Sequence, residues 1–354
     1  MHSEKIYTSL RKFMDNLPTG FPETESGVEM SILKKLFTPE QAELFMKLKN
    51  KPESIDEISN RTGIGLSILK PKIENMAQKG LLFRTRDKGN VQYQTFNFVV
   101  GIYEFQLKTM DKDLAEMVEE YLPHFGMALA GAGVKTKQLR VAPVASALDM
   151  SSPVANYNLI RALVKDQDLI AVQDCICRKE QGLLGNLCEY PNETCFGFGK
   201  FAQYYIDNKM GREINGDEAL KILDHAEEAG LVLSPSNTKN LAFLCCCCPC
   251  CCPTIRYAKF FPKPAKMFKT YYRSNIDSET CTSCQECFER CPMGAIIEGE
   301  ETSMIDKDRC IGCGLCVSLC PENAISLKLI SDAEAPHDYL EDVFQQIRNE
   351  RMTT

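Results

Sequence analysis

Apolar positions in the first third of the chain recur mostly at helical spacing. Residues 1–37 are mixed, with a turn-like stretch from Pro18 to Pro22. Thr38-Pro39-Glu40-Gln41 then opens a helix: Thr38 caps, Pro39 fits the first turn, and Gln41 completes a capping box. Ala42, Phe45 and Leu48 mark its inward face. Ser54-Ile55-Asp56-Glu57 is a second capping box, opening a short helix that ends near Gly63. A third helix is predicted from about Leu66 to Lys79, with Leu69, Ile73, Met76 and Ala77 inward and Gly80 as its stop. Pro71 is tolerable there only near the first turn. The pattern then switches to strand-like runs, Leu81 to Arg86 and Val91 to Phe98, joined by Asp87-Lys88-Gly89-Asn90.

Three helices and a hairpin in this order resemble a winged helix-turn-helix domain, placed at 38–100 after an N-terminal segment, 1–37. Residues 101–170 read as a helical connector, with helices from Glu104 to Tyr121 and from Val154 to Val164. The run Gly131-Ala-Gly133-Val-Lys135-Thr136 lacks the spacing of a phosphate loop and reads as an ordinary loop. A short strand, Leu169 to Gln173, leads into a cysteine-rich unit at 171–253. A basic linker at 254–274 precedes a module at 275–330. The tail, 331–354, is predicted to form a helix with Leu340, Val343, Phe344 and Ile347 on one docking face. The fold class expected is α+β and multidomain: a winged helix-turn-helix, a cysteine-rich metal-binding α+β domain, and a ferredoxin-like module.

Composition changes this picture at one residue type. The chain has 354 residues, a net charge of −7 and 19 cysteines, all from Cys175 onward. The acidic balance argues against a general nucleic-acid coat. No apolar run reaches the roughly 18 residues that span a bilayer, and the first residues lack a secretory apolar core. The expected location is the cytoplasm, without membrane insertion. Adjacent cysteines are poor disulfide partners, so the clusters read as thiolate metal ligands.

Two cysteine runs share one spacing. Cys281-Thr-Ser-Cys284-Gln-Glu-Cys287-Phe-Glu-Arg-Cys291-Pro292 and Cys310-Ile-Gly-Cys313-Gly-Leu-Cys316-Val-Ser-Leu-Cys320-Pro321 both read C-x2-C-x2-C-x3-C-P. Two-residue gaps let a tight loop wrap three corners of a cubane, and the three-residue step carries the fourth thiolate away. The halves repeat with a 29-residue offset, Ile276-Asp277 matching Ile305-Asp306. A zinc reading would need two tetrahedral centres and gives no reason for the paired Cys-Pro endings. The segment resembles the duplicated bacterial 2[4Fe–4S] ferredoxin. That resemblance implies two [4Fe–4S] clusters with crossed fourth ligands: Cys281, Cys284, Cys287 and Cys320 for cluster one, and Cys310, Cys313, Cys316 and Cys291 for cluster two. Ser283 and Gln285 stand where such loops often carry glycine, which bears on hydrogen bonding to cluster one.

Eleven cysteines precede this module: Cys175, Cys177, Cys188 and Cys195, then Cys245 to Cys248 and Cys250 to Cys252. They exceed the needs of one cubane, so one or two additional iron–sulfur clusters are expected. Zinc is the alternative at 175–195, and a non-cubane cluster bridging both groups is another. Neighbouring side chains diverge in an extended chain, so only some of the run can face one site. The candidate ligands are Cys175, Cys177, Cys188, Cys195, Cys245, Cys247, Cys248, Cys250, Cys251 and Cys252. Together with Gly20-Phe-Pro22 and Glu25 to Glu29, this order of features is similar to a family of anaerobe proteins described as 4Fe–4S binding. That resemblance sets Cys246 apart, because asparagine is the residue expected there.

No catalytic acid, base or nucleophile stands out; His2, His124, His225 and His337 are scattered. The function expected is electron transfer, by a protein or oxidoreductase subunit that relays low-potential electrons between the ferredoxin pair and the middle clusters. The partner expected is a redox protein or enzyme complex. Lys70, Lys72 and Lys79 on the third helix and Arg84, Arg86 and Lys88 on the hairpin are where a DNA reader carries cations. DNA is therefore the lesser partner, and a redox-sensing transcription regulator is the first alternative. A reductase with substrate at an open-site cluster is the second. Linker residues Arg256, Lys259, Lys263, Lys266, Lys269 and Arg273 interleave with aromatics and are expected to pack internally against the acidic 275–330 segment.

Overall fold

The computed structural model describes residues 2–87, 89–147, 159–330 and 334–353. Six helices build the first half: α1 (His2–Asp15), α2 (Val28–Leu36), α3 (Pro39–Met46), α4 (Ile55–Thr62), α5 (Leu66–Gln78) and α6 (Lys112–Gly131). Both capping boxes form. Thr38 and Gln41 exchange bonds at the start of α3, as Ser54 and Glu57 do at α4. In α5, Leu69, Ile73, Met76 and Ala77 are all buried.

Several elements differ from expectation. Helices α1 and α2 went unread, although Ile6, Tyr7, Leu10 and Met14 form the buried stripe of the first and Val28, Ile32 and Leu33 that of the second. The helix expected at Glu104 to Tyr121 begins instead at Lys112, where the Asp111 carboxylate accepts from the Leu114 N–H at 2.9 Å. It continues past Pro123 to Gly131. Of the helix expected from Val154 to Val164, Ile160–Lys165 is helical and 154–158 lie outside the described residues. Residues from α1 to α6 share one apolar core, which also takes in Ile176.

Strands β1 (Glu53–Ser54), β2 (Phe83–Asp87) and β3 (Asn90–Gln94) form a small antiparallel sheet beside α5. Its hairpin cations are engaged at home. Arg84 is buried, bonded to Glu74 at 2.6 Å and to Asn208 at 3.0 Å. Arg86 reaches Asp207 at 2.6 Å. Lys70, Lys72 and Lys79 are exposed, and Lys88 lies outside the described residues.

The second half is organised by a five-stranded antiparallel sheet in the order β6-β4-β5-β8-β7. Its strands are β4 (Ile170–Asp174), β5 (Glu193–Phe198), β6 (Arg212–Ile214), β7 (Val232–Pro235) and β8 (Phe243–Cys247). Phe196, Phe198 and Leu244 face a core shared with helix Gly216–Ala229. On the opposite side Phe243 packs with Phe201, Tyr204 and the terminal helix Leu340–Met352. That helix buries Leu340, Val343, Phe344 and Ile347. Its Arg351 binds Asp15 and the Leu17 carbonyl, and crosses Gly20 so closely that a Cβ there would stand 2.5 Å from the guanidinium. Glu350 accepts from the Lys135 and Thr136 N–H groups, each at 2.9 Å, so the Gly131–Thr136 loop already holds an anion from its own chain.

The linker is compact. Arg256 pairs with Glu119 of α6 at 2.5 Å, and Lys263 pairs with Asp308 at 3.1 Å. Lys269 lies over the buried Tyr271 ring. Phe260 remains exposed.

Candidate metal centres

The last module is a two-fold repeat in space as well as in sequence. Strands β9 (Tyr272–Ile276) and β12 (Ile325–Leu329) pair antiparallel, as do β10 (Ile296–Ile297) and β11 (Met304–Ile305). The Ala295 N–H donates to Cys291 Sγ, and 29 residues on the Ala324 N–H donates to Cys320 Sγ, both at 3.2 Å. The Asp277 N–H donates to the Ala324 carbonyl and the Asp306 N–H to the Ala295 carbonyl, both at 2.8 Å, so each half is tied to the other. Cys320 joins Cys281, Cys284 and Cys287 around one hollow. Cys291 lies in the electrostatic field of Cys310, Cys313 and Cys316. Desolvation pushes the Cys313 and Cys316 thiols up, the latter to about 12. A cation is needed to hold such buried sulfurs as thiolates.

The two halves differ in surroundings. Ser283, Gln285, Gly312 and Gly314 all take left-handed backbone, with φ of 54°, 64°, 70° and 75°. In the second half only glycine fits. A Cβ at Gly312 would overlap the Tyr272 carbonyl, and one at Gly314 would stand 2.7 Å from Ala147. Ser283 and Gln285 are exposed, so their side chains have room, at a backbone cost of about 1–2 kcal/mol each. Cys284 is exposed, whereas residues 310–316 are all buried. Cys310, Ile311, Cys313 and Leu315 share a core with Cys252, Val232 and Ile255, and Cys247 packs at its edge. The Val144 N–H donates to the Cys313 carbonyl at 3.0 Å.

The cysteine-rich middle divides across the sheet. Side chains of a strand alternate between faces, and β8 does this to its own thiols. Cys246 and Cys248 enter the core beneath helix Gly216–Ala229, with Leu244 and Cys251. Cys245 faces the other way, opposite Cys195 in the β5 register. Two thiol groups result. Cys188, Cys248, Cys250 and Cys251 bring their sulfurs within 4.8 Å of one another. Cys175, Cys177, Cys195, Cys245, Cys247 and Cys252 form the second group: all six line one cavity, and Cys195 stands opposite Cys245 across the β5–β8 register. Each of the ten candidate cysteines belongs to one group; Cys246 is buried among apolar side chains.

Within each group, neighbours help one thiol ionise. Cys251 and the other donors around Cys248 lower it to about 5. Cys245 and Cys252 hold Cys247 well below the usual thiol range. Cys245 and Cys252 are themselves pushed up. Arg178, which sequence reading passed over, lies in the field of Cys175, Cys248, Cys188 and Cys247. It is buried, donating to Thr194 Oγ1 at 2.7 Å and to the Cys246 carbonyl at 2.9 Å. Its place directly after Cys177 was the available signal.

The six-thiol group, with Cys246 and Cys248 beside it, lines a cavity of about 480 Å³ bordered elsewhere by α6 and by linker aromatics such as Phe261 and Phe268. Glu104 reaches this cavity; burial raises its carboxyl to about 7, and it accepts from the Gly101 N–H at 2.6 Å. Nearby, Tyr103 donates to Glu180.

Residues 273–332 match the family described as a 4Fe-4S dicluster domain. No curated protein and no solved structure matches the chain. The matched segment supports iron–sulfur binding by this chain and suggests an electron-transfer role. No described helix is long and apolar enough to cross a membrane.

Proposed function

We propose that this chain is an iron–sulfur electron-transfer protein or oxidoreductase subunit of an anaerobe, carrying low-potential electrons between a ferredoxin pair and a middle-domain cluster. The ligands proposed are Cys281, Cys284, Cys287 and Cys320 for cluster one, and Cys310, Cys313, Cys316 and Cys291 for cluster two. For the middle cluster they come from Cys175, Cys177, Cys195, Cys245, Cys247 and Cys252. Bound clusters supply one-electron storage. The chain supplies placement: N–H groups aimed at sulfur, burial of the inner half, and Arg178 as a countercharge.

One observation carries the order of the centres. Cys284 faces solvent, while Cys310 and Cys313 share a core with Cys252 at the end of the six-thiol group. A redox partner therefore docks at cluster one, and cluster two faces inward. The test is iron and sulfide content of anaerobically purified protein, with EPR of the reduced form. Clearly more than the roughly eight iron atoms of two cubanes, with magnetically interacting reduced centres, is the expected result. A value that stays at eight removes the middle cluster.

A second reading rests on the cavity. Its volume falls within the roughly 300–1,000 Å³ of small-molecule sites, and thiols form one wall. This favours a reductase whose substrate sits against the middle cluster over a pure relay protein.

Residues 38–98, read as a winged helix, are proposed to contact protein and not DNA, because Arg84 and Arg86 are already paired within the chain. Binding to a genomic DNA library at low salt should be weak, unselective and unchanged between oxidised and reduced protein. A reader neutralising about six phosphates would lose roughly a thousandfold in affinity between about 50 and 200 mM salt. Selective retention that Lys72→Glu weakens would promote the transcription regulator instead.

A further inference from the structure

We propose that Cys188, Cys248, Cys250 and Cys251 hold a single zinc ion, a closed structural site separate from the electron path. The inference does not depend on the relay reading, since it rests on sulfur–sulfur distances. Cys188 Sγ lies 3.5 Å from Cys250 Sγ and 3.9 Å from Cys248 Sγ, and Cys250 Sγ lies 3.7 Å from Cys251 Sγ. All four sulfurs fall within 4.8 Å of one another. Four thiolates about 2.3 Å from one metal occupy the corners of a tetrahedron whose edges are about 3.8 Å. A cubane places an iron and its bridging sulfides behind each thiolate, which pushes the cysteine sulfurs much further apart. The observed spacing has room for one ion and none for a cluster.

The position suits a structural ion. Cys248 and Cys251 enter the core beneath helix Gly216–Ala229; Cys248 borders the cavity that the six thiols line, whereas Cys188, Cys250 and Cys251 do not line it. The site joins two segments far apart in sequence: the loop after helix Ile176–Leu183, through Cys188, and the turn after β8, through Cys248, Cys250 and Cys251. That loop carries Leu187 almost fully into solvent. It has little apolar anchorage of its own, and a bond from Cys188 to the turn fixes it. Four protein sulfurs complete a tetrahedral coordination and leave no open position, as structural zinc sites require. Tetrahedral four-sulfur donation also admits a lone iron, so the two metals must be told apart by measurement.

The experiment uses the full-length protein, expressed in iron-supplemented medium and purified without oxygen. Zinc and iron are quantified together, and X-ray absorption is recorded at the zinc edge. About one zinc per chain is expected, with four sulfur neighbours at about 2.3 Å and no iron neighbour. Cys188→Ser and Cys250→Ser should each lower zinc at least tenfold while leaving the iron count unchanged. The wild-type absorption data decide the matter even if these variants fail to fold. Zinc below about a tenth of an equivalent, zinc with oxygen or nitrogen neighbours, or loss of iron from folded Cys250→Ser protein would overturn the proposal.

Discussion

Replacing Cys320 by alanine is expected to destroy the cluster held by Cys281, Cys284 and Cys287, and to spare the one held by Cys320's own run. Chain proximity argues the reverse, since Cys316 is four residues away and Cys281 thirty-nine. Geometry decides: Cys320 lines the same hollow as Cys281, Cys284 and Cys287, and the Ala324 N–H that bonds its sulfur belongs to the segment paired with Asp277. Removing one of four thiolates leaves an iron without its protein ligand at the more exposed of the two sites. The variant should lose about four iron atoms and one of the two reduced-state EPR signals. Cys291→Ala should remove the complementary signal, from the buried site. Should Cys320→Ala extinguish the signal that Cys310→Ala also extinguishes, the ligands are not crossed.

Cys247→Ser is expected to empty the middle site and leave the ferredoxin pair loaded. Cys247 is the junction of the six-thiol group: Cys245 and Cys252 flank it and lower its thiol well below the usual range. Serine keeps the size and loses the soft ligand that iron prefers. Iron should fall to roughly the eight atoms of two cubanes, and the EPR of the reduced ferredoxin pair should lose its interaction with a third centre. Cys246→Asn is the paired control. Cys246 faces the other side of β8, among Leu244 and Phe196, so iron should not change. A fall in iron with Cys246→Asn, or an unchanged count with Cys247→Ser, would show that the thiols are sorted differently.

Much of this protein was legible in its sequence because the information was local. Capping boxes at Thr38 and Ser54 involve residues three apart, and both form. The buried stripe of the terminal helix needs only a period of 3.6 residues. The two C-x2-C-x2-C-x3-C-P runs stand inside the segment matched as a dicluster domain. Helix α1 was legible too, since Ile6, Tyr7, Leu10 and Met14 make the same kind of stripe. The start of α6 turned on one capping carboxylate, Asp111, outweighing the apolar residues before it.

Tertiary structure alone decided which thiols meet. Seven cysteines in eight positions look alike in sequence. Their division depends on β8 pairing with β5 and β7 in one register, because a shift of one residue would send every thiol to the opposite face. That register is set by strands up to fifty residues away, and Cys188 arrives from sixty residues before Cys248. The same holds for the two cysteine loops of the dicluster segment. Their cysteine spacing is identical, yet Gly312 and Gly314 lie against Tyr272 and Ala147 while Ser283 and Gln285 face water. Local spacing specifies a ligand loop through short-range sterics. Whether that loop meets solvent or another set of thiols depends on contacts between distant segments, which no local pattern records.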